Sequence, residues 1–166
     1  MTFDHPPINS ITATTVMELA ELVDLIEEDA DLNVVVFDSA NPDFYLAHYD
    51  VNPAEIHAWL DHLVRLSRAP AVSIASIRGR ARGAGSEFVL ACDMRFASRE
   101  NTMLGQLDGP RAQQYGYVNR LIADDQLDDE VDQIASRLAR LDRDALARAK
   151  SYVDQYVCQL PARMDP

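Results

Sequence analysis

Gly79 to Asp93 reads G-R-A-R-G-A-G-S-E-F-V-L-A-C-D, and this stretch decides how the chain folds. An apolar, β-branched run from Ala71 to Ile77 precedes it, and a helix-like apolar run from Phe88 to Ala91 follows. The spacing predicts a strand, a sharp turn and a helix. Gly83, Ala84 and Gly85 are small enough for the backbone to bend tightly and lie close to another group. A helix that starts there turns its unpaired N–H groups and the positive end of its dipole outward. Glu87 sits one short turn inside. Donors for a developing oxyanion beside a carboxylate suit acyl transfer or enolate chemistry. A turn of this kind also serves plain strand-to-helix packing, with Glu87 favourably placed against the dipole, so both readings stand on spacing alone.

Neighbouring motifs exclude several chemistries. No Gly-Lys-Ser/Thr follows the turn, so it is not a phosphate-binding loop, and no G-x-G-x-x-G marks a dinucleotide site. Ser86 lies between Gly85 and Glu87, which breaks a G-x-S-x-G nucleophile elbow. Cys92 and Cys158 are far apart and form no metal or redox pattern, which suits a reducing compartment. No metal site is expected.

The chain has 166 residues, enough for one domain with a real core, and its 48% hydrophobic and 25% charged content is that of a globular protein. Asp and Glu outnumber Lys and Arg by 27 to 15, a formal charge of −12. This balance disfavours nucleic acid and anionic membrane surfaces as partners. Arg78, Arg80 and Arg82 cluster against that background, either as solvated or ion-paired residues or as contacts for phosphate. The opening residues hold Asp4, His5 and two prolines rather than an apolar run, so no signal peptide is expected. No apolar stretch reaches the ~20 residues of a membrane span. A cytoplasmic location is the expectation.

Outward from the turn, strands and helices alternate. Thr15-x-x-Glu18 reads as a capping box for a helix carrying Val16, Leu19, Val23 and Ile26 on one face. Val34 to Phe37 reads as a parallel strand covered on both sides. Asn52-Pro53-Ala54-Glu55 supplies a cap, a first-turn proline and an acid for a helix whose apolar stripe is Ile56, Trp59, Leu60, Leu63 and Leu66. Met94 to Ala97 and Thr102 to Leu104 read as strands, and Gln126 to Leu141 and Asp142 to Val157 as helices. Residues 1–123 form an α/β core, and 124–166 a helical segment of the same domain or an assembly element. Right-handed crossovers are expected.

In their order, T-F-D-H-P-P-I-N-S, V-V-V-F-D-S-A, F-Y-L-A-H-Y-D, the glycine-rich stretch, L-G-Q-L-D and Y-G-Y-V-N-R-L-I resemble the crotonase superfamily of enoyl-CoA hydratases and isomerases. The resemblance implies a crotonase-like α/β fold of repeated ββα units with C-terminal helices, here truncated. It implies an acyl-CoA thioester as substrate, with coenzyme A carried on the substrate and no other cofactor. It also implies a trimer or hexamer. Two backbone N–H groups would hold the thioester oxygen: Tyr49, in the loop Ala47-His48-Tyr49-Asp50 that resembles A-G-x-D, and Ala84 in the glycine-rich turn. His48 stands where the family usually has glycine. Ala47, His48, Asp50, Gly83 and Gly85 would line the substrate. Glu87 matches the first catalytic glutamate and Asp108 falls at the second, one methylene shorter. After Asp108 the family's next turn and helices are missing, and Gly109-Pro110-Arg111 is expected to join directly to the later helix-like element. Two outcomes follow: an enoyl-CoA hydratase/isomerase-type enzyme, or a catalytically degenerate scaffold that serves assembly.

Overall fold

The computed structural model describes residues 1–158, with side chains described through Val153. The alternating strands and helices form three ββα units. The chain opens with β1 (Thr2–Phe3) and α1 (Ala13–Glu28), and the units are β2 (Val34–Ser39), β3 (Phe44–Leu46), α2 (Pro53–Arg68); β4 (Val72–Ile77), β5 (Arg80–Ala81), α3 (Ala84–Ala91); and β6 (Met94–Ser98), β7 (Met103–Leu104), α4 (Gly109–Gln114). A short β8 (Leu107–Asp108) is inserted before α4, and β9 (Arg120–Ile122), α5 (Leu127–Leu138) and α6 (Arg143–Cys158) close the chain. In each unit the first strand enters a five-stranded sheet of order β1-β2-β4-β6-β9, parallel throughout. The second enters a smaller sheet of order β3-β5-β7-β8, where only β7 and β8 run antiparallel.

Alternation along the strands sorts the apolar side chains into two cores. Val35, Phe37, Ala75, Ile77 and Ala97 point into a core shared with α1, α2, α3 and the small sheet. Ile74, Val72, Phe96 and Ile122 point the other way, against Leu127, Val131, Ile134 and Leu146 of α5 and α6. Both faces of the large sheet are therefore covered, which is why its strands read as unbroken apolar runs. Phe88 of α3 is fully buried, with ring centroids 5.2 Å from Phe3, 5.0 Å from Phe37 and 5.8 Å from Trp59. Burying such a ring is worth roughly 1.5–3 kcal/mol, and it anchors α3 one residue beyond Glu87.

Local chemistry explains the ends of the elements and corrects two expectations. Asn52 caps α2, accepting from the N–H groups of Ala54 and Glu55, while Glu55 returns a bond to the Asn52 N–H. For α1 the cap is Thr12 rather than Thr15: the helix starts at Ala13, and Thr15 is the third helical residue, reciprocating the Thr12 bond. After Asp108 the chain forms α4, turns through Tyr115–Asn119 and adds β9, rather than joining directly to the later helix. Pro110 stands in the first turn of α4, where its missing N–H costs nothing. Among the described residues, no helix is long and apolar enough to cross a membrane. The Cys158 side chain lies outside the described residues; Cys92 is buried, and burial pushes its thiol up to about 12.

Candidate active site

The loop after β3 is built on the segment Asn9–Ile11. The Ala47 N–H donates to the Asn9 carbonyl at 2.9 Å, the Ile11 N–H to the His48 carbonyl at 3.0 Å, and the Asp50 N–H to the Ile11 carbonyl at 2.9 Å. This pattern is a parallel bridge between Ile11 and Tyr49. The bonds to Ile11 come from the residues on either side of Tyr49, so the Tyr49 N–H is directed away from Ile11.

Asn9 underlies the loop and was absent from the expected site residues. It is buried, with φ of 52°, a conformation asparagine tolerates better than most residues. Its side-chain amide lies within 3.3 Å of the Phe3, Phe44 and Tyr45 carbonyls and donates to Ser39 Oγ at 2.8 Å. Its Oδ1 accepts from the His5 N–H at 2.7 Å. The sequence signal for this role is an asparagine set between a proline pair and an apolar residue, where a tight turn needs side-chain support.

The glycine-rich turn closes onto the same loop. The Arg82 N–H donates to the Leu46 carbonyl at 3.2 Å, and the Gly85 N–H reaches the Ala47 carbonyl at 3.1 Å. A Cβ on Gly85 would stand 2.0 Å from the Leu46 oxygen, so only glycine permits this approach. Gly83 takes φ of 52° and ψ of −119° as the residue before α3, without a side-chain cap. Ser86 turns inward, donating from Oγ to the Ala81 carbonyl at 2.8 Å. Among the described residues, neither the Tyr49 N–H nor the Ala84 N–H donates a hydrogen bond.

Of the predicted site residues, Glu87 and Tyr49 meet through a contact the sequence did not indicate: the Tyr49 hydroxyl, expected to take no part, donates to Glu87 Oε2 at 2.7 Å. Partial burial and then this bond raise the Tyr49 phenol well above its ordinary range. Glu87 is exposed, as are His48, Asp50 and Gly83, whereas Ala47, Ala84 and Gly85 are buried. Asp108 lies apart from that pair in bonding terms. It faces Met103 at the open end of the β7–β8 hairpin, and its Oδ1 caps α4 by accepting from the Arg111 N–H at 3.0 Å.

The arginine cluster divides. Arg78 bonds to Asp128 at 2.6 Å and to both the side chain and carbonyl of Asp124, tying the end of β4 to the start of α5. Its hydrogen bond with Asp128 keeps the guanidinium above its ordinary range despite partial burial. Arg80 stacks on the Phe44 ring, 5.4 Å from its centroid. Arg82 is exposed beside Gly83, with no side-chain hydrogen bond or ion pair among the described residues.

Comparison with known proteins identifies the family and the fold. Residues 1–108 match the family model described as enoyl-CoA hydratase/isomerase, and the match ends at the residue that caps α4. The crystal structure of an enoyl-CoA hydratase candidate from Streptomyces avermitilis superposes with a TM-score of 0.87 at 36% identity, covering 98% of this chain and 75% of that one. Pseudomonas aeruginosa DspI superposes with a TM-score of 0.85 at 21% identity, over 96% of this chain and 84% of that one, a likeness of fold. In sequence, the chain is 32% identical over 120 residues to the fatty acid oxidation complex subunit alpha of Aliivibrio fischeri. That stretch takes in 63% of this chain but spans only 18% of the relative's length. The crotonase-like architecture is thus present in shortened form, and with its first 108 residues matching the family model, the chain belongs to the enoyl-CoA hydratase/isomerase family.

Proposed function

We propose that the protein binds acyl-CoA thioesters and stabilises the enolate of the thioester, with the Tyr49 and Ala84 N–H groups as oxyanion donors and Glu87 as the acid/base. One observation carries this reading. Two N–H groups without acceptors sit on segments latched together by the bond from Gly85 to the Ala47 carbonyl. Fixed donors of this kind need no reorganisation as charge develops on the oxygen, and each is worth ~2.7–4 kcal/mol in enzymes that use them. Ala47, His48, Asp50, Gly83 and Gly85 border the substrate in this reading, and exposed Arg82 meets phosphate groups of coenzyme A. Asp108 is engaged through Oδ1 at the start of α4, and in this reading the proton transfer is given to Glu87, whose carboxylate is tied to the donor-bearing loop by the Tyr49 hydroxyl. A single carboxylate suits moving a proton between carbons better than adding water across a double bond.

Calorimetric titration with crotonyl-CoA tests the binding claim. Saturable heat with a Kd at or below ~1 mM is expected, and no heat at concentrations well above that overturns it.

An assembly role is carried by a separate observation. Val64, Leu90 and Val153, all exposed, line an apolar groove of about 630 Å³ between α2, the end of α3 and α6. Contiguous apolar surface of this kind marks association sites, and we assign it to contacts between copies. Sedimentation is expected to show a trimer or hexamer of the 18.5 kDa chain; a monomer at tens of micromolar removes this assignment.

A further inference from the structure

In the reading above Tyr49 acts only through its backbone, yet its side chain makes the one hydrogen bond described for the Glu87 carboxylate, to Oε2 at 2.7 Å. The bond joins the loop after β3 to the first turn of α3, the same two segments that carry the undonated N–H groups. Without such a partner, an exposed glutamate samples many rotamers about three side-chain bonds, and holding it in one costs entropy. The other charged or titratable groups on the adjoining segments are His48 and Asp50 in the loop, Arg82 in the turn and Glu55, His57, Asp61, His62, Arg65 and Arg68 on α2. None of them is hydrogen-bonded or ion-paired to Glu87.

We propose that the Tyr49 hydroxyl is a positioning residue for Glu87: it pins one carboxylate oxygen and leaves the other to take a proton from the carbon next to the thioester carbonyl. The step rests on the acyl-CoA reading. In it the C–H bond breaks, the proton passes to the free Glu87 oxygen, and the electron pair moves into an enolate whose charge lies on the thioester oxygen. The protonated Glu87, exposed to solvent, swaps its proton with water, and delivery of that solvent-derived proton back to carbon completes a balanced exchange whose only co-reactant is water. Tyr49 donates throughout and keeps its own proton. Burial and the bond with Glu87 raise its ionisation above the ordinary phenol range, so it remains a donor at neutral and mildly alkaline pH. A hydrogen bond from a neutral donor to a carboxylate is among the stronger kinds, and one residue then serves both the oxygen and the base of the reaction.

The test is exchange of the hydrogens next to the carbonyl of butyryl-CoA for deuterium in heavy water, followed by mass spectrometry. Tyr49→Phe keeps the backbone N–H, so KM is expected to stay within about twofold while kcat for exchange falls about tenfold. Glu87→Asp retracts the carboxylate from the Tyr49 hydroxyl while retaining a base. In that background Tyr49→Phe is expected to remove less than about a further twofold, because the bond is already lost. Equal exchange in wild type and Tyr49→Phe overturns the inference and leaves the acyl-CoA reading standing. Equal fold-losses in both backgrounds also overturn it, since the tyrosine would then act independently of Glu87. Wild-type protein that neither binds nor exchanges the thioester overturns the acyl-CoA reading and this inference with it.

Discussion

Replacing Glu87 by Gln is expected to cut exchange or isomerisation of a bound acyl-CoA thioester by about 10²-fold or more, the usual worth of a positioned acid/base. Gln is nearly isosteric, and its carbonyl oxygen can still accept the bond now given by the Tyr49 hydroxyl. The backbone around it is unaffected, because the Glu87 N–H bonds to the Gly83 carbonyl at 3.1 Å irrespective of the side chain. Phe88, the next residue, keeps α3 seated in the aromatic cluster. Crotonyl-CoA should therefore bind within about twofold of wild type, so the loss falls on kcat and not on KM. Isotope exchange and calorimetry on one preparation separate these quantities. Unchanged turnover would remove Glu87 from the chemistry.

The second large effect concerns stability. Lys150 is buried, and its Nζ makes an ion pair with Asp93 Oδ2 at 2.9 Å and donates to the Leu66 and Ala71 carbonyls at 3.2 Å each. Asp93 also accepts from the Ser73 N–H and hydroxyl, both at 2.8 Å. This network fastens α6 to the end of α2 and to β4 and β6. Lys150→Ala leaves Asp93 without its counter-charge and strands two carbonyls, and a loss of ~3 kcal/mol is expected, at the lower end of the ~3–5 kcal/mol for a broken buried pair. The two Ser73 donors and the partial exposure of Asp93 set it at that lower end. Urea unfolding measures it. The double variant Lys150→Met/Asp93→Asn should recover much of the loss, since no charge is left unpaired. A cost below about 1 kcal/mol for Lys150→Ala would show that water replaces the ammonium group.

The strands and helices that carry long apolar patterns were legible in the sequence, as were the cap at Asn52 and the turn at Gly83 to Gly85. Thr12 and Thr15 show where legibility stops. The usual box pairs Ser or Thr with an acid three residues on, which singles out Thr15 and Glu18, whereas the molecule pairs Thr12 with Thr15, three residues earlier. Gly109-Pro110-Arg111 reads as a direct join to the later helix-like element, yet Asp108 as cap and proline in the first turn start a separate short helix there. Of the second sheet only the strand at Thr102 to Leu104 was legible, because strands of two or three residues have no measurable period. Within the candidate site, the backbone turn was visible in its small residues. The meeting of Tyr49 with Glu87 was not, since it spans 38 residues and depends on side-chain rotamers. Asn9 was hidden for a related reason: its partners come from β1, β2 and β3, and only the fold collects them.

Both sheets add their strands in the order in which the chain runs. Each new strand of the large sheet pairs with the one before it, about one ββα unit upstream, so a ribosome can deliver the sheet row by row from the amino end. Besides the two-residue edge at β1, a sheet growing in this way presents its newest strand as an unsatisfied edge, a template for pairing with other nascent chains until synthesis moves on. The final edge, β9, is three residues long and begins with Arg120, which pairs with Glu130 of α5. That edge is a short, charged margin, so it carries little of the pairing hazard that the longer inner strands present while they are still exposed.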